Sequence, residues 1–331
     1  MEAFSIGVDL GGTNLRAATY TPTHGLQDRR SVRTRIEDGP QAVADDIALL
    51  VREIKALRDP GAPCVGVCIG APGPLELPMG RFHQSPNLPG WDGFNLHEAL
   101  DKNLDIPIFL DNDANVAALA ECYLGSGKQL GVNSLNMLTL GTGVGHGIIY
   151  EGRIMHGANG LAGEAGHVSV RMDGELCNCG NHGCLEMYAT AKTFKREAIK
   201  RAAHGAQGLE HLLKEHPDAS AGEVYSLAMS GDQDARSIFE EAGSAIGICI
   251  AALINTMNPP LIVVAGGISD AWNLFAPKIF EELERRSMIY RLTKPGSRFQ
   301  QHTIVQKAVL GADAGLTGAA LYPFIYARHG S

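Results

Sequence analysis

Short apolar runs alternate with amphipathic stretches along the chain, and the hydrophobic period changes from segment to segment. Residues 4–9 are apolar almost throughout and residues 15–20 resume a strand-like pattern. Together they predict a hairpin that turns over Asp9-Leu10-Gly11-Gly12-Thr13-Asn14. Gly39-Pro40 is a helix-start signal, and Val43, Ile47, Leu50, Val51, Ile54 and Leu57 follow at the spacing of a helix that buries one face. Residues 65–69 predict a buried strand, 70–93 a loop rich in Gly and Pro, and 96–104 a short helix. A second buried strand, 106–110, ends at Asp111-Asn112-Asp113, with a helix over 114–124. A second hairpin pairs 134–140 with 144–150 around Gly141-Thr142-Gly143. Helices over 190–204 and 235–257 come next, then a buried strand, 261–265, running into Gly266-Gly267. A strand over 303–309 and a small-residue helix over 313–322 complete the pattern. A hairpin with a Gly-Thr turn followed by alternating helices and strands thus occurs twice, which predicts two similar α/β halves with a cleft between them.

Composition narrows the class. The chain has 331 residues, 45% of them hydrophobic and 19% charged, so a packed core rather than disorder is expected. Forty glycines without a Gly-X-Y period or a low-complexity tract must serve as individual backbone devices. A formal charge of -8 with no Lys/Arg cluster argues against nucleic acid as a partner. No run of about 18 consecutive apolar residues predicts a membrane span, and Met1-Glu2-Ala3-Phe4-Ser5 lacks the start of a signal peptide. The expected location is the cytoplasm. Seven cysteines are an odd number, so a disulfide framework is not expected. Cys64, Cys68, Cys122 and Cys249 read as small buried hydrophobes.

Cys177, Cys179 and Cys184 crowd together, and with His167 they offer three thiolates and an imidazole, enough for a closed tetrahedral zinc site. Gly180 and Gly183 supply the turns of such a knuckle, and His182 competes with His167 for the fourth position. The glycine-rich turns after the apolar strands expose backbone N–H groups suited to a polyphosphate, and Asp9 beside the first could orient Mg²⁺ through water. Neither a Walker A loop nor a Gly-x-Gly-x-x-Gly fingerprint is present. Asp111-Asn112-Asp113-Ala114-Asn115 at a strand end can cap the next helix or accept a proton from a substrate hydroxyl. Asn87 and Gly73 lie in Pro-bounded loops, and Asn87 suits the reading of a hydroxyl.

Asp9-Leu10-Gly11-Gly12-Thr13, Leu140-Gly141-Thr142-Gly143-Val144-Gly145, Glu164-Ala165-Gly166-His167 and the segment from Cys177 to Glu186 carry a resemblance to the ROK (repressor, open reading frame, kinase) sugar kinases of the actin-like ATPase superfamily. The resemblance implies a two-lobed actin-like, ribonuclease H-like fold, with the active-site cleft between the lobes and the zinc knuckle in the larger one. The expected small lobe takes residues 1–114 and 312–331, and the large lobe takes 115–311. It implies ATP-dependent phosphorylation of a hexose at the 6-hydroxyl, with glucose the first choice. N-acetylglucosamine, N-acetylmannosamine and fructose are the alternatives. Asp113 is the implied general base, and Gly73, Asn87, Asn112, Glu164, His167 and Glu186 the implied sugar contacts. His167 would give one ring nitrogen to zinc and turn the other to the sugar. Gly11, Gly12, Thr13, Asn14, Thr142, Gly143, Gly266 and Gly267 would line the ATP site. A homodimer is the implied assembly. The family's sugar-responsive repressors carry a helix-turn-helix domain before the first hairpin, and the eight residues ahead of Asp9 are too few for one.

Overall fold

The computed structural model describes residues 1–83 and 88–327. Twelve strands are seen among them: β1 (Phe4–Leu10), β2 (Asn14–Thr21), β3 (Gly25–Arg33), β4 (Cys64–Ala71), β5 (Leu75–Glu76), β6 (Arg81–Phe82), β7 (Ile108–Asn112), β8 (Leu135–Leu140), β9 (Val144–Tyr150), β10 (Arg153–Ile154), β11 (Leu261–Ala265) and β12 (Ile304–Lys307). The helices are α1 (Pro40–Lys55), α2 (Leu96–Asp101), α3 (Asp113–Tyr123), α4 (Ser126–Leu130), α5 (Ala191–Ala203), α6 (Gln207–Glu215), α7 (Ala221–Met229), α8 (Gln233–Met257), α9 (Trp272–Arg286), α10 (Met288–Thr293) and α11 (Ala314–Tyr326).

Two five-stranded sheets organise them, in the orders β3-β2-β1-β4-β7 and β10-β9-β8-β11-β12. The first hairpin forms as its sequence predicts, with Leu10 opposite Leu15 and Ser5 opposite Tyr20 in an antiparallel register. β4 and β7 then add in parallel, so β1, β4 and β7 all end on the same edge of the sheet. In the second sheet β8, β11 and β12 run parallel in the same way. Ends of parallel strands at one sheet edge are where α/β proteins place ligand loops.

The chain divides into two units. The first holds residues 1–134, 147–163 and 309–331, and the second holds 135–146 and 164–308. This differs from the expected boundary at residue 114, because α3 belongs with the first unit. The cause is a close helix–helix approach. A side chain at Gly318 of α11 would place its Cβ 1.7 Å from the Val116 carbonyl oxygen, and one at Gly147 would meet the Ala114 oxygen at 2.4 Å. Bare glycine on either side of α3 lets it sink between them.

Core burial follows the hydrophobic pattern in each unit. Val43, Ile47, Leu50, Val51 and Ile54 of α1 are buried as the helical spacing requires, with Pro40 in its first turn. In the second unit α8 supplies Ile238, Phe239, Ile246 and Ile250 to a core shared with α5, α9 and β11. α8 is long and apolar enough to cross a membrane by length and composition, and burial within this core accounts for that composition.

Candidate active site

In the first unit, the edge where β1, β4 and β7 end carries Asp9, Asn112 and Asp113. Asp9, Gly70 and Asp111 lie in one row across the three strands. One residue further on, Asn112 caps α3, its side-chain oxygen accepting the Ala114 N–H at 2.9 Å. Asp113 opens the helix, and its Oδ1 accepts the same N–H at 2.7 Å. The capping reading of this cluster is therefore true of Asn112. It leaves Asp113 at the head of a helix, where the positive end of the dipole favours an ionised carboxylate. Gly73 belongs to the same neighbourhood, since a Cβ there would lie 3.0 Å from Asn112 Nδ2. Asn87 lies outside the described residues.

The turn after β1 is closed by its own backbone, with Gly11 N–H donating to the Asn14 carbonyl at 3.0 Å. Thr34, which sequence reasoning did not single out, clamps it: its hydroxyl donates to the Gly11 carbonyl at 2.7 Å and its N–H to the Thr13 carbonyl at 2.9 Å. Gly12 has open space where a side chain would stand. Asp9 is not a bare carboxylate. Its Oδ2 accepts from Arg16 Nε at 2.9 Å and Nη2 at 2.5 Å, while Oδ1 lies against Gly315. Arg16 also reaches the Ala312 carbonyl and Asp313. A donor set of one carboxylate already paired with a guanidinium does not make a direct Mg²⁺ site. It fits the predicted contact through a metal-bound water on Oδ1.

In the second unit, the turns after β8 and β11 stand side by side, as the parallel pairing of those strands demands. Gly141 N–H donates to the Gly143 carbonyl at 3.0 Å, closing the turn around Thr142. Gly266 has φ +87°, and a Cβ on it would meet the Leu140 carbonyl oxygen at 2.2 Å. Only glycine meets both conditions. Gly267, next to it, faces open space. Glu186 reaches into the β8–β9 turn: its Oε2 accepts the Val144 N–H at 3.0 Å and lies 2.8 Å from where a Cβ on Gly143 would stand. Glu164 is held above the usual carboxyl range. Burial is the main cause, and the negative charge of Glu186 adds to it against the opposing influence of His167.

The ligand atoms of His167, Cys177, Cys179 and Cys184 all lie within 4.8 Å of one another. Cys177 Sγ is 3.7 Å from His167 Nδ1, and Cys179 Sγ is 3.7 Å from Cys184 Sγ. A zinc tetrahedron with bonds of ~2.3 Å to sulfur and ~2.05 Å to nitrogen has edges of roughly 3.6–3.8 Å. The four residues therefore fit zinc in donor chemistry and in spacing. Burial, aided by Cys179 and Cys177, pushes the Cys184 thiol up to about 12. His182 stands outside this four-residue cluster, with its Nδ1 facing the Gly174 carbonyl at 3.1 Å. His167 turns Nδ1 to the cluster, which leaves Nε2 for another partner.

These features define an α/β protein with phosphate-suited turns, a carboxylate at a helix head and a Cys₃His cluster. The ROK family model matches residues 5–323, and the chain belongs to that family. The glucokinase of Halalkalibacterium halodurans is 35% identical over 322 residues, covering 96% of this chain and 94% of the relative. A ROK family glucokinase from Streptomyces griseus, solved in complex with glucose and AMPPNP, superposes with a TM-score of 0.78 at 30% identity, covering 96% of this chain and 98% of that one. The ROK hexokinase of Thermus thermophilus superposes with a TM-score of 0.80 at 29% identity, covering 99% of this chain and 100% of that one.

Proposed function

We propose that the protein is an ATP-dependent glucokinase that transfers the γ-phosphoryl group to the 6-hydroxyl of glucose. The observation that carries this reading is Asp113 at the head of α3, with Asn112 and Gly73 beside it at the strand-end edge. Its full-length similarity to a glucokinase solved with glucose and an ATP analogue supports it. In the reaction the sugar oxygen bonds to the γ-phosphorus as the bond to the ADP oxygen breaks, and the hydroxyl proton passes to Asp113.

Asn112, Glu164, His167 and Glu186 act as sugar contacts, and their mixture of donors and acceptors matches hydroxyls that both give and take hydrogen bonds. The N–H groups of the turns at Gly11–Asn14, Thr142–Gly143 and Gly266–Gly267 hold the nucleotide. Mg²⁺, when bound with ATP, supplies neutralisation of phosphate charge, and Asp9 would hold its hydration shell through Oδ1 while Arg16 fixes the carboxylate. Zinc, when bound by His167, Cys177, Cys179 and Cys184, supplies a cross-link that fixes the His167 imidazole close to Glu164 and Glu186.

The test is ADP release with MgATP across glucose, N-acetylglucosamine, N-acetylmannosamine, mannose and fructose. Glucose should give the highest kcat/KM. A higher value for an acetamido sugar would move the assignment to the corresponding hexosamine kinase.

A further inference from the structure

Asp111, the residue before the Asn112–Asp113 pair, is fully buried, and both its carboxylate oxygens are engaged. Oδ1 accepts the Asn112 N–H at 2.8 Å and the Asn115 side-chain amide at 2.9 Å. Oδ2 faces His156 Nε2 at 2.7 Å. The first two bonds bracket Asp113 from either side in sequence, so Asp111 sets how the chain turns from β7 into α3. The third comes from a residue 45 positions away.

His156 is itself held. Its carbonyl accepts the Ala162 N–H at 3.0 Å, and Gly160 in the same loop approaches Leu77 with no room for a side chain. Among the described residues, His156 is the one ion-pair partner of Asp111. The other ionisable groups around the pair are Cys68 on β4 and Tyr322 and Tyr326 on α11. The nearby cation Arg153 stands over the Tyr326 ring at 5.3 Å. Burial alone would lower the His156 pKa, but the hydrogen bond to Asp111 and its charge outweigh burial and hold the imidazole above its ordinary value. His146 shows the opposite case. Buried against the neutral amide of Asn136, it falls to about 4.

We infer that His156 is a positioning residue for phosphoryl transfer: paired with buried Asp111, it fixes the β7–α3 turn and so the aim of the Asp113 carboxylate at the acceptor hydroxyl. The inference rests on Asp113 being the base. A misplaced base slows the chemical step while leaving most of the sugar's contacts intact.

The experiment compares the wild type, His156→Ala and His156→Gln in kcat and KM for glucose with MgATP, from about pH 6 to about pH 9, a range that spans the titration of a histidine held above its ordinary pKa. His156→Ala should lose roughly 10–100-fold in kcat with glucose KM nearly unchanged. His156→Gln, whose amide nitrogen can still donate to Asp111, should recover most of kcat near neutrality. It should also lack the decline at high pH that the wild type shows as His156 loses its proton. Wild-type kcat in the Ala variant, or a loss that Gln does not recover at any pH, overturns the inference. If the Ala variant does not fold, the Gln pH profile decides: a profile like the wild type's overturns the inference, and a flat alkaline limb supports it. A wild type that phosphorylates no hexose would instead overturn the kinase reading itself.

Discussion

Glu186 and Val144, 42 residues apart in sequence, are joined by a hydrogen bond of 3.0 Å from the Val144 N–H to Glu186 Oε2. A proposed sugar contact thus rests on the turn proposed to hold phosphate. Gly143 is the position that permits it, because a Cβ there would stand 2.8 Å from the same carboxylate oxygen. Gly143→Ala should displace the end of a flexible side chain rather than backbone, so the melting temperature should stay close to wild type. The glucose KM should rise by roughly tenfold, the effect of about 1.4 kcal/mol of lost binding. Steady-state kinetics beside thermal unfolding check both halves.

Asp113→Asn keeps an oxygen to accept the Ala114 N–H, so the helix head should survive. The proton acceptor is lost, and kcat should fall by about 10²–10⁴-fold. Calorimetric titration should show glucose affinity retained. Near-normal turnover would remove Asp113 from the role of base.

Metal analysis of purified protein should find zinc at one equivalent per chain, bound by the Cys₃His cluster. Cys184→Ser should abolish that zinc and lower stability by about 3 kcal/mol or more, the linkage expected for a tightly held ion. Glucose affinity should fall with it, because the same His167 that faces Cys177 is a proposed sugar contact. Chelation that left both stability and glucose affinity unchanged would contradict the zinc assignment.

Two adjacent glycines predict opposite outcomes. Gly266→Ala forces a side chain onto the Leu140 carbonyl at positive φ, and it should cost about 1–3 kcal/mol of stability. Gly267→Ala enters open space, so it should unfold like the wild type. In Gly267→Ala the ATP KM should therefore rise with no loss of stability, as steady-state kinetics beside thermal unfolding would show.

Because the folded His156 pKa is raised above its unfolded value of ~6.5, the pair with Asp111 contributes its full stability below that pH. The contribution is lost as pH rises through the folded pKa. Denaturant unfolding should therefore show a decline in wild-type stability at mildly alkaline pH that His156→Gln lacks. His156→Leu, which leaves Asp111 buried without a cation, should cost about 3 kcal/mol or more at neutral pH.

α1 was legible from its helical period, and the β1–β2 hairpin and the strands β4, β7, β8 and β11 from short apolar runs. β3 gives no such signal, because it is an edge strand whose residues are mostly exposed and polar. α9 carries Leu274, Phe275, Ile279 and Leu283 on its buried side at helical spacing, but Pro277 inside the same stretch masks the helix signal. The Cys₃His cluster was legible because cysteine spacing is local. The Asp9–Arg16 pair and the Asp111–His156 pair were not, since charge alone does not say which partner a carboxylate finds when the chain folds. The spacing leaves both His167 and His182 within reach of the cysteines, the family resemblance favours His167, and His167 is the histidine whose ring nitrogen lies within the cluster.

The contact of β1 with α11 bears on how the chain is made. The Ser5 hydroxyl donates to the carbonyl of Ala320, 315 residues later, and Gly7 is pressed against the same residue. A ribosome delivers β1 long before the helix that covers it, whereas residues 164–308 of the second unit emerge as one uninterrupted stretch. The second unit's main stretch is therefore complete before β1 can meet the helix that covers it. The second unit can close while the first waits with one face of its sheet bare, a candidate client for chaperones until the last helix arrives.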